Sequence, residues 1–477
     1  MSIQRQFGRN VAWMAAGNWI EQAFNFGIFV LLARLLGAEA FGLLAMAAAF
    51  VILCEVLVRE SLTEYLVSSE TPRPGHLNGA FWMLLGLGSL LSGGLFLVAG
   101  MIGSIYGEAT VTVLVKGLSI TVLVVALGAV PTAILRRELR FKSLAVRAVS
   151  GVVAGGVIAI WMALNGYGVW SLVAQRVVQV TTNAILAWIA VRWRPSLQIT
   201  RVEARDILHF GSQVLSLRAA EIARVQVPMV IIGAVLGPTI LGLFSIAWRL
   251  VEIGSFLIMT PIRMVSQSAF AALRRGGENS SKLLEDILRL SGMIGLPAFC
   301  GLAILAAPVL SVLFGDKWLL AAPILTIIAI VGAYQSIEMV HRSYCLAAKH
   351  AKDLAMLTWI EVCIGGVLVW WASSWGIIEV SIMFSASFFI LWIARVVIVS
   401  RVAETTVLSL LLIHRAPLIG TLLLAIVVSY LALTIGIYGV GLIIVCAFAG
   451  AAFYGAYTYI FMRDRITLFQ AVFLRTA

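Results

Sequence analysis

Asn18, Glu21, Gln22 and Asn25 stand at i, i+3, i+4 and i+7 in an otherwise apolar run, so a helix would bring all four onto one face. Ser245, Arg249 and Glu252 form a second stripe at i, i+4 and i+7, and Arg218 with Glu221 a third at i, i+3, with Arg224 displaced around that helix. Arg176 interrupts yet another apolar run. The chemistry these side chains offer is recognition. A guanidinium presents a planar fork of donors that suits a phosphate, while Asn and Gln suit hydroxyl groups. Glu21, Glu221 and Glu252 are candidates for counter-ions to the arginines or for coupling groups that carry a proton. Arg218 with Glu221, and Arg249 with Glu252, read equally as ion pairs that fix helix packing, and Arg176 as a side chain that snorkels.

Groups for bond-making chemistry are missing from the pattern. The chain has no nucleotide-binding loop, no paired catalytic carboxylates and no H-E-x-x-H. Cys54, Cys300, Cys345, Cys363 and Cys446 lack C-x-x-C spacing, which indicates neither a disulfide framework nor a metal site. No enzyme and no cofactor are expected.

The elements that must carry the polar stripes are membrane helices. With 61% hydrophobic residues, 12% charged residues and a mean hydropathy of +1.03, the chain reads as an all-α polytopic membrane protein. Apolar runs of about 20 residues follow one another from Val11 to Met462, about 14 in all. With odd-numbered spans running outward, the outer side keeps only Arg34, Lys116 and Lys317 of the 34 Lys and Arg. Arg176, Arg218, Arg224 and Arg249 fall within spans, and the rest gather on the inner side, from Arg5 and Arg9 to Arg463, Arg465 and Arg475. This distribution places both termini in the cytoplasm of a cell whose inner membrane the protein crosses many times. The net charge of +12 is spread over separate inner loops, a topology signal and no sign of nucleic-acid binding. A cleavable signal is not expected, because the first apolar run is long and carries Asn18, Glu21 and Asn25.

Other residues receive structural readings. Glu55 and Arg59 form an i, i+4 pair at a span end. Arg136, Arg137, Arg140, Lys142 and Arg147 read first as topology signals and otherwise as cations that gather an anionic head group, and Glu338, His341 and Arg342 cluster at an inner end. Trp170, Trp318 and Trp375 belong to an aromatic belt, and Gly93-Gly94, Gly155-Gly156 and Gly365-Gly366 permit close helix packing.

One phrase occurs twice. Leu36-Gly37, Gly42-Leu43 and Ala47 return as Leu236-Gly237, Gly242-Leu243 and Ala247. Six spans separate the copies, so both hairpins enter the membrane in one direction and the repeat is parallel. Ile105-Tyr106-Gly107-Glu108 and Leu313-Phe314-Gly315-Asp316 add a weaker echo. The expected organisation is an N-lobe over 1–205, a C-lobe over 206–402 and an appended helical hairpin over 403–477, with a monomer sufficient. Glu21 and Glu221 take equivalent places, whereas Arg218 and Arg249 have Asn18 and Ala49 as counterparts, which concentrates the positive charge of the spans in the second lobe.

Asn18-Trp19, the run Leu32-Ala33-Arg34-Leu35-Leu36-Gly37-Ala38-Glu39-Ala40-Phe41-Gly42-Leu43 and the loop Leu135 to Lys142 resemble polysaccharide flippases of the Wzx type. So do Ile232 to Gly237, Gly242 to Ala247 and Phe314-Gly315-Asp316-Lys317-Trp318. The resemblance covers nearly the first 350 residues. It implies a carrier of the multidrug/oligosaccharidyl-lipid/polysaccharide exporter superfamily that flips undecaprenyl-pyrophosphate-linked repeat units between leaflets for exopolysaccharide or lipopolysaccharide synthesis. Membrane lipid and the lipid-linked glycan would be its partners, with polymerase and glycosyltransferase machinery beside it. On this reading Arg218, Arg224, Arg249, Arg176, Asn18, Gln22 and Asn25 line a central cationic cavity. The other reading is a cation-coupled multidrug antiporter of the same superfamily, whose cavity would favour acidic residues.

Overall fold

The structure, a computed structural model, describes residues 3–61, 74–196, 201–275, 281–348 and 350–462. Arg5 and Arg9 lie in this range, but their side chains are outside the described part, and Arg463, Arg465 and Arg475 lie outside it altogether. The described residues are helical almost throughout. In chain order the first helices are α1 (Ile3–Leu35), α2 (Ala38–Ser61), α3 (Pro74–Tyr106), α4 (Ala109–Arg137), α5 (Phe141–Leu164) and α6 (Trp170–Ala190). They are followed by α7 (Arg201–Arg275), α8 (Ser281–Ile304), α9 (Ala306–Phe314) and a 3-10 turn (Asp316–Ala321). The series ends with α10 (Ala322–Ala347), α11 (Ala351–Ala372), α12 (Ile377–Ile390), α13 (Trp392–Ala403), α14 (Val407–Leu412), α15 (Arg415–Thr434) and α16 (Gly439–Phe461).

Among the described residues, 11 stretches are long and apolar enough to cross a membrane. The difference from about 14 has a physical origin. The stretches α1 and α6 are diluted by the polar groups that make them interesting, and Leu215–Thr260 counts once although Gly237 breaks the α7 run. Gly237 has φ 82° and ψ 176°, a conformation that glycine reaches without a Cβ clash. It stands where Gly37 links α1 to α2.

The chain divides into two compact units, Met1–Gly242 and Leu243–Ala477. In the first, α3 packs on α4, α5 on α6, α4 on α6, α1 on α5 and α2 on α4. Close approach comes from small residues. A Cβ on Gly151 or Gly155 would collide with the α6 backbone at Gln179 or Gln175, and one on Gly156 with Ile28 of α1. Gly93 and Gly94 do not serve this purpose, for both face open space.

In the second unit, α8 packs on α10, α11 on α12, and α10 on α12. Hairpin α15–α16 adds an apolar cluster of Leu424, Val428, Leu442, Cys446 and Tyr454 around Leu305. Trp318 is no belt residue. The 3-10 turn folds its indole inward, fully buried and edge-on to Phe314 at 6.3 Å. Trp170 and Trp375 are exposed, as an interfacial role requires.

Arg395 of α13 is the most deeply buried arginine or lysine among the described residues of this unit. It donates to Glu338 of α10, to Glu361 Oε2 of α11 at 2.6 Å and to Thr358 Oγ1 at 3.1 Å. Arg395, Glu338 and Glu361 are all nearly inaccessible to solvent. A buried guanidinium persists only when carboxylates and hydroxyls satisfy it in this way.

Candidate functional site

A cavity of about 650 Å³ lies within the first unit, walled by α1, α2, α4, α5 and α6. Asn18 and Glu21 of α1 enter it from one side, Arg59 from the end of α2, and Arg136 from the end of α4. Arg147 comes from α5, and Arg176, Gln179 and Asn183 from α6. The α6 groups obey helical arithmetic: 176, 179 and 183 are i, i+3 and i+7 on one face. That face is held against α5 by Gly151 and Gly155, and against α4 by Gly128, where a Cβ would meet Ala184 at 3.3 Å.

A network of polar contacts sets the electrostatics. Arg176 Nη2 donates to Glu55 Oε2, and Thr121 donates to Glu55 Oε1 at 2.7 Å. Arg59 approaches the same carboxylate at 3.9 Å. Glu55, nearly inaccessible, thus anchors Arg176 at the cavity wall. Arg147 Nη1 donates to Thr132 Oγ1 at 3.1 Å, while the positive fields of Arg147 and Arg59 act on Glu21. Buried Arg147 Nε and Asn183 Oδ1 have no hydrogen-bond partner among the described residues, which leaves a donor and an acceptor at the cavity. With Glu55 offsetting Arg176, the arginines Arg59, Arg136 and Arg147 still outnumber the lining carboxylate Glu21, so the cavity is net positive and attracts anions.

Of the residues singled out by spacing, Asn18, Glu21 and Arg176 meet here. Gln22 and Asn25, half-buried on α1, are outside the lining. The remaining candidates stand elsewhere on α7. Arg218 pairs with Glu221 at 3.3 Å, and Arg249 with Glu252 at 3.2 Å, where Trp248 Nε1 also donates to Glu252 at 3.0 Å. Arg224 is half-buried. Arg59 reads from the sequence as half of a span-end pair, and Arg136 and Arg147 as topology signals or head-group cations; the three supply most of the cavity charge. Gln179 and Asn183 were visible in principle, since they share the period of Arg176.

A family profile described as "Polysaccharide biosynthesis protein" matches residues 31–323, well over half of the chain. The chain belongs to the polysaccharide biosynthesis protein family. The Wzx-type resemblance read from the sequence is thereby borne out. Among relatives in this family range, the succinoglycan biosynthesis transport protein ExoT of Rhizobium meliloti (strain 1021) is 26% identical over 427 residues, 89% of this chain and 86% of that protein. The teichuronic acid biosynthesis protein TuaB of Bacillus subtilis (strain 168) is 24% identical, covering 74% of each chain. The lipopolysaccharide biosynthesis protein WzxC of Escherichia coli (strain K12) is 21% identical over 71% of this chain and 69% of its own.

The fold is also shared with solved transporters. The lipid II flippase MurJ in an inward closed conformation aligns with a TM-score of 0.75 at 13% identity, covering 95% of this chain and 99% of its own. An inward-facing MATE family multidrug transporter aligns at 0.59 with 16% identity, covering 81% and 96%. This polysaccharide biosynthesis family member is therefore a multi-pass membrane protein with the fold of transporters.

Proposed function

We propose that the protein flips undecaprenyl-pyrophosphate-linked oligosaccharide repeat units from the inner to the outer leaflet of the bacterial inner membrane, by alternating access, for surface polysaccharide synthesis. The observation that carries this reading is the cationic, amide-lined cavity on α1, α2 and α4–α6. A pyrophosphate suits Arg147, Arg59 and Arg136, whose forks pair with phosphoryl oxygens. Sugar hydroxyls suit Asn18, Gln179 and Asn183, while the polyprenyl tail stays in lipid. An arginine within the bilayer costs about 2.5 to 3.5 kcal/mol even on the lenient insertion scale, a cost that a wet, substrate-bearing cavity relieves.

Two parallel six-helix lobes with an appended helical hairpin fit this mechanism. The packing order in the first unit, α3 with α4, α5 with α6 and α4 with α6, has a counterpart in α8 with α10, α11 with α12 and α10 with α12. A cation-coupled drug antiporter is the weaker reading, because the arginines at the cavity outnumber Glu21 and Glu55 and repel cationic substrates. The test is polysaccharide export in cells whose own copy is replaced by Arg59→Gln/Arg147→Gln. Lipid-linked repeat units should accumulate on the inner leaflet while the variant protein remains in the membrane. Undiminished export would remove the cavity from the mechanism.

A further inference from the structure

A second concavity, of about 360 Å³, lies on the α4–α6 seam and adjoins the cationic cavity, sharing Val124 and Ala184 with its lining. Its walls are apolar: Val124 and Leu127 of α4, Ile185 and Ile189 of α6, with Trp188 at its floor and Arg194 at one end. Ile185 and Ile189 are each more than half exposed, so this face meets lipid in a protein that spans the membrane.

The site is built rather than left over. Pro131 has no N–H, so the Leu127 carbonyl four residues earlier loses its helical donor. Trp188 Nε1 takes that place, donating to Leu127 O at 3.0 Å, and the indole is fixed. Arg194 lies over this ring at 5.6 Å, with its Nη1 donating to the carbonyls of Val191 and Trp193, each at 2.9 Å. The segment after α6 is pinned in turn. Asn78 Nδ2 donates to Ser196 Oγ at 2.6 Å, Asn78 Oδ1 accepts from Ser196 N at 3.1 Å, and Trp82 Nε1 donates to Ser196 O at 3.0 Å. Arg140 Nη1 donates to Ala190 O at 2.7 Å, which brings a further cation to the same helix end. Glu138, 3.6 Å from Arg140, offsets part of that charge.

Apolar walls, a fixed tryptophan and exposed guanidiniums follow one another in the order of an acyl chain, a glycerol backbone and an anionic head group. The positive-inside distribution assigns this end of α6 to the leaflet whose lipids are anionic. We propose that the groove holds one anionic glycerophospholipid, with an acyl chain along Val124, Leu127 and Ile185 and its phosphate on Arg194. This lipid is a resident of the seam and is distinct from any transported molecule.

The experiment titrates the purified, delipidated full chain with phosphatidylglycerol or phosphatidylcholine of identical acyl chains and counts retained lipid by native mass spectrometry. Wild type should retain a single phosphatidylglycerol about fivefold more tightly than phosphatidylcholine, as one arginine near the membrane surface warrants. Arg194→Gln should abolish that preference, Arg194→Lys should keep much of it, and Ile185→Trp, which fills the groove, should weaken retention of both lipids. Inorganic phosphate should not displace the bound lipid. Equal retention of the two lipids by wild type, or a preference that survives Arg194→Gln in a folded variant, would overturn the assignment. Displacement by a polyprenyl phosphate in preference to phosphatidylglycerol would overturn it as well.

Discussion

Gly42 lies directly against the backbone carbonyl of Pro238, and Gly242 returns the contact on the carbonyl of Ala38. The two halves of the sequence echo thus touch each other at equivalent positions, within the first unit. Neither site has room for a Cβ. Under the alternating access proposed above, this interlock is a candidate closure that opens and re-forms during the cycle. Overpacking of a tight contact costs about 1 to 3 kcal/mol, which shifts a two-state equilibrium about 5- to 150-fold. Gly42→Ala and Gly242→Ala should each slow transport within that range and raise the accessibility of cysteines introduced beside the contact. Unchanged accessibility and rate in both variants would mean that the contact plays no part in the cycle.

Removing Arg395 should be the most damaging single change in the second unit. Arg395→Met leaves Glu338 and Glu361 buried together without their shared cation, a type of loss that costs about 3 to 5 kcal/mol. Thermal unfolding in detergent should show a large drop. Adding Glu338→Gln and Glu361→Gln should recover much of it, since no charge is then left unpaired. A triple variant no more stable than Arg395→Met would contradict an ionic origin for the loss.

Trp188 and Pro131 should behave as a coupled pair. Trp188→Phe leaves the Leu127 carbonyl without its donor, at a cost of about 1 to 3 kcal/mol. With Pro131→Ala in place, a main-chain N–H becomes available to that carbonyl, and Trp188→Phe should cost clearly less. Strict additivity of the two changes in a double-mutant cycle would show that the indole and the proline act separately.

Gln179 and Asn183 should affect affinity rather than folding. Their replacement by Leu removes hydroxyl-directed hydrogen bonds from the cavity but leaves the Arg176–Glu55 anchor in place. The expected result is a KM for lipid-linked substrate raised about 5- to 30-fold, as the loss of one or two modest hydrogen bonds implies. An unchanged KM would place the glycan elsewhere.

What could be read in the sequence follows from what periodicity measures. The α1 stripe was legible because Asn18 and Glu21 interrupt an apolar run at helical spacing. Periodicity names a face and not its neighbour, so it grouped Gln22 and Asn25 with them although these lie outside the cavity lining. Arg59, Arg136 and Arg147 stand near span ends, where the positive-inside rule explains a cation completely, and only the fold turns them toward one space. Arg395 was counted with the inner charges for the same reason, whereas the helix break at Leu391 carries it into a buried cluster. Glycine pairs were equally ambiguous. Gly155-Gly156 sits under α6 and α1, while Gly93-Gly94 faces nothing, a difference set by partners distant in the chain.

Arg147 offers the most direct test, because it lines the cavity, keeps a buried Nε without a partner among the described residues and is not the arginine that anchors Glu55. The measurement is the translocation rate of a pyrophosphate-linked oligosaccharide lipid across proteoliposomes containing equal amounts of folded wild type or Arg147→Gln. Loss of one charge-assisted contact worth about 1.5 to 3 kcal/mol predicts a rate reduced about 10- to 150-fold at subsaturating substrate. An Arg147→Gln protein that translocates at the wild-type rate would contradict a cationic cavity as the path of the head group.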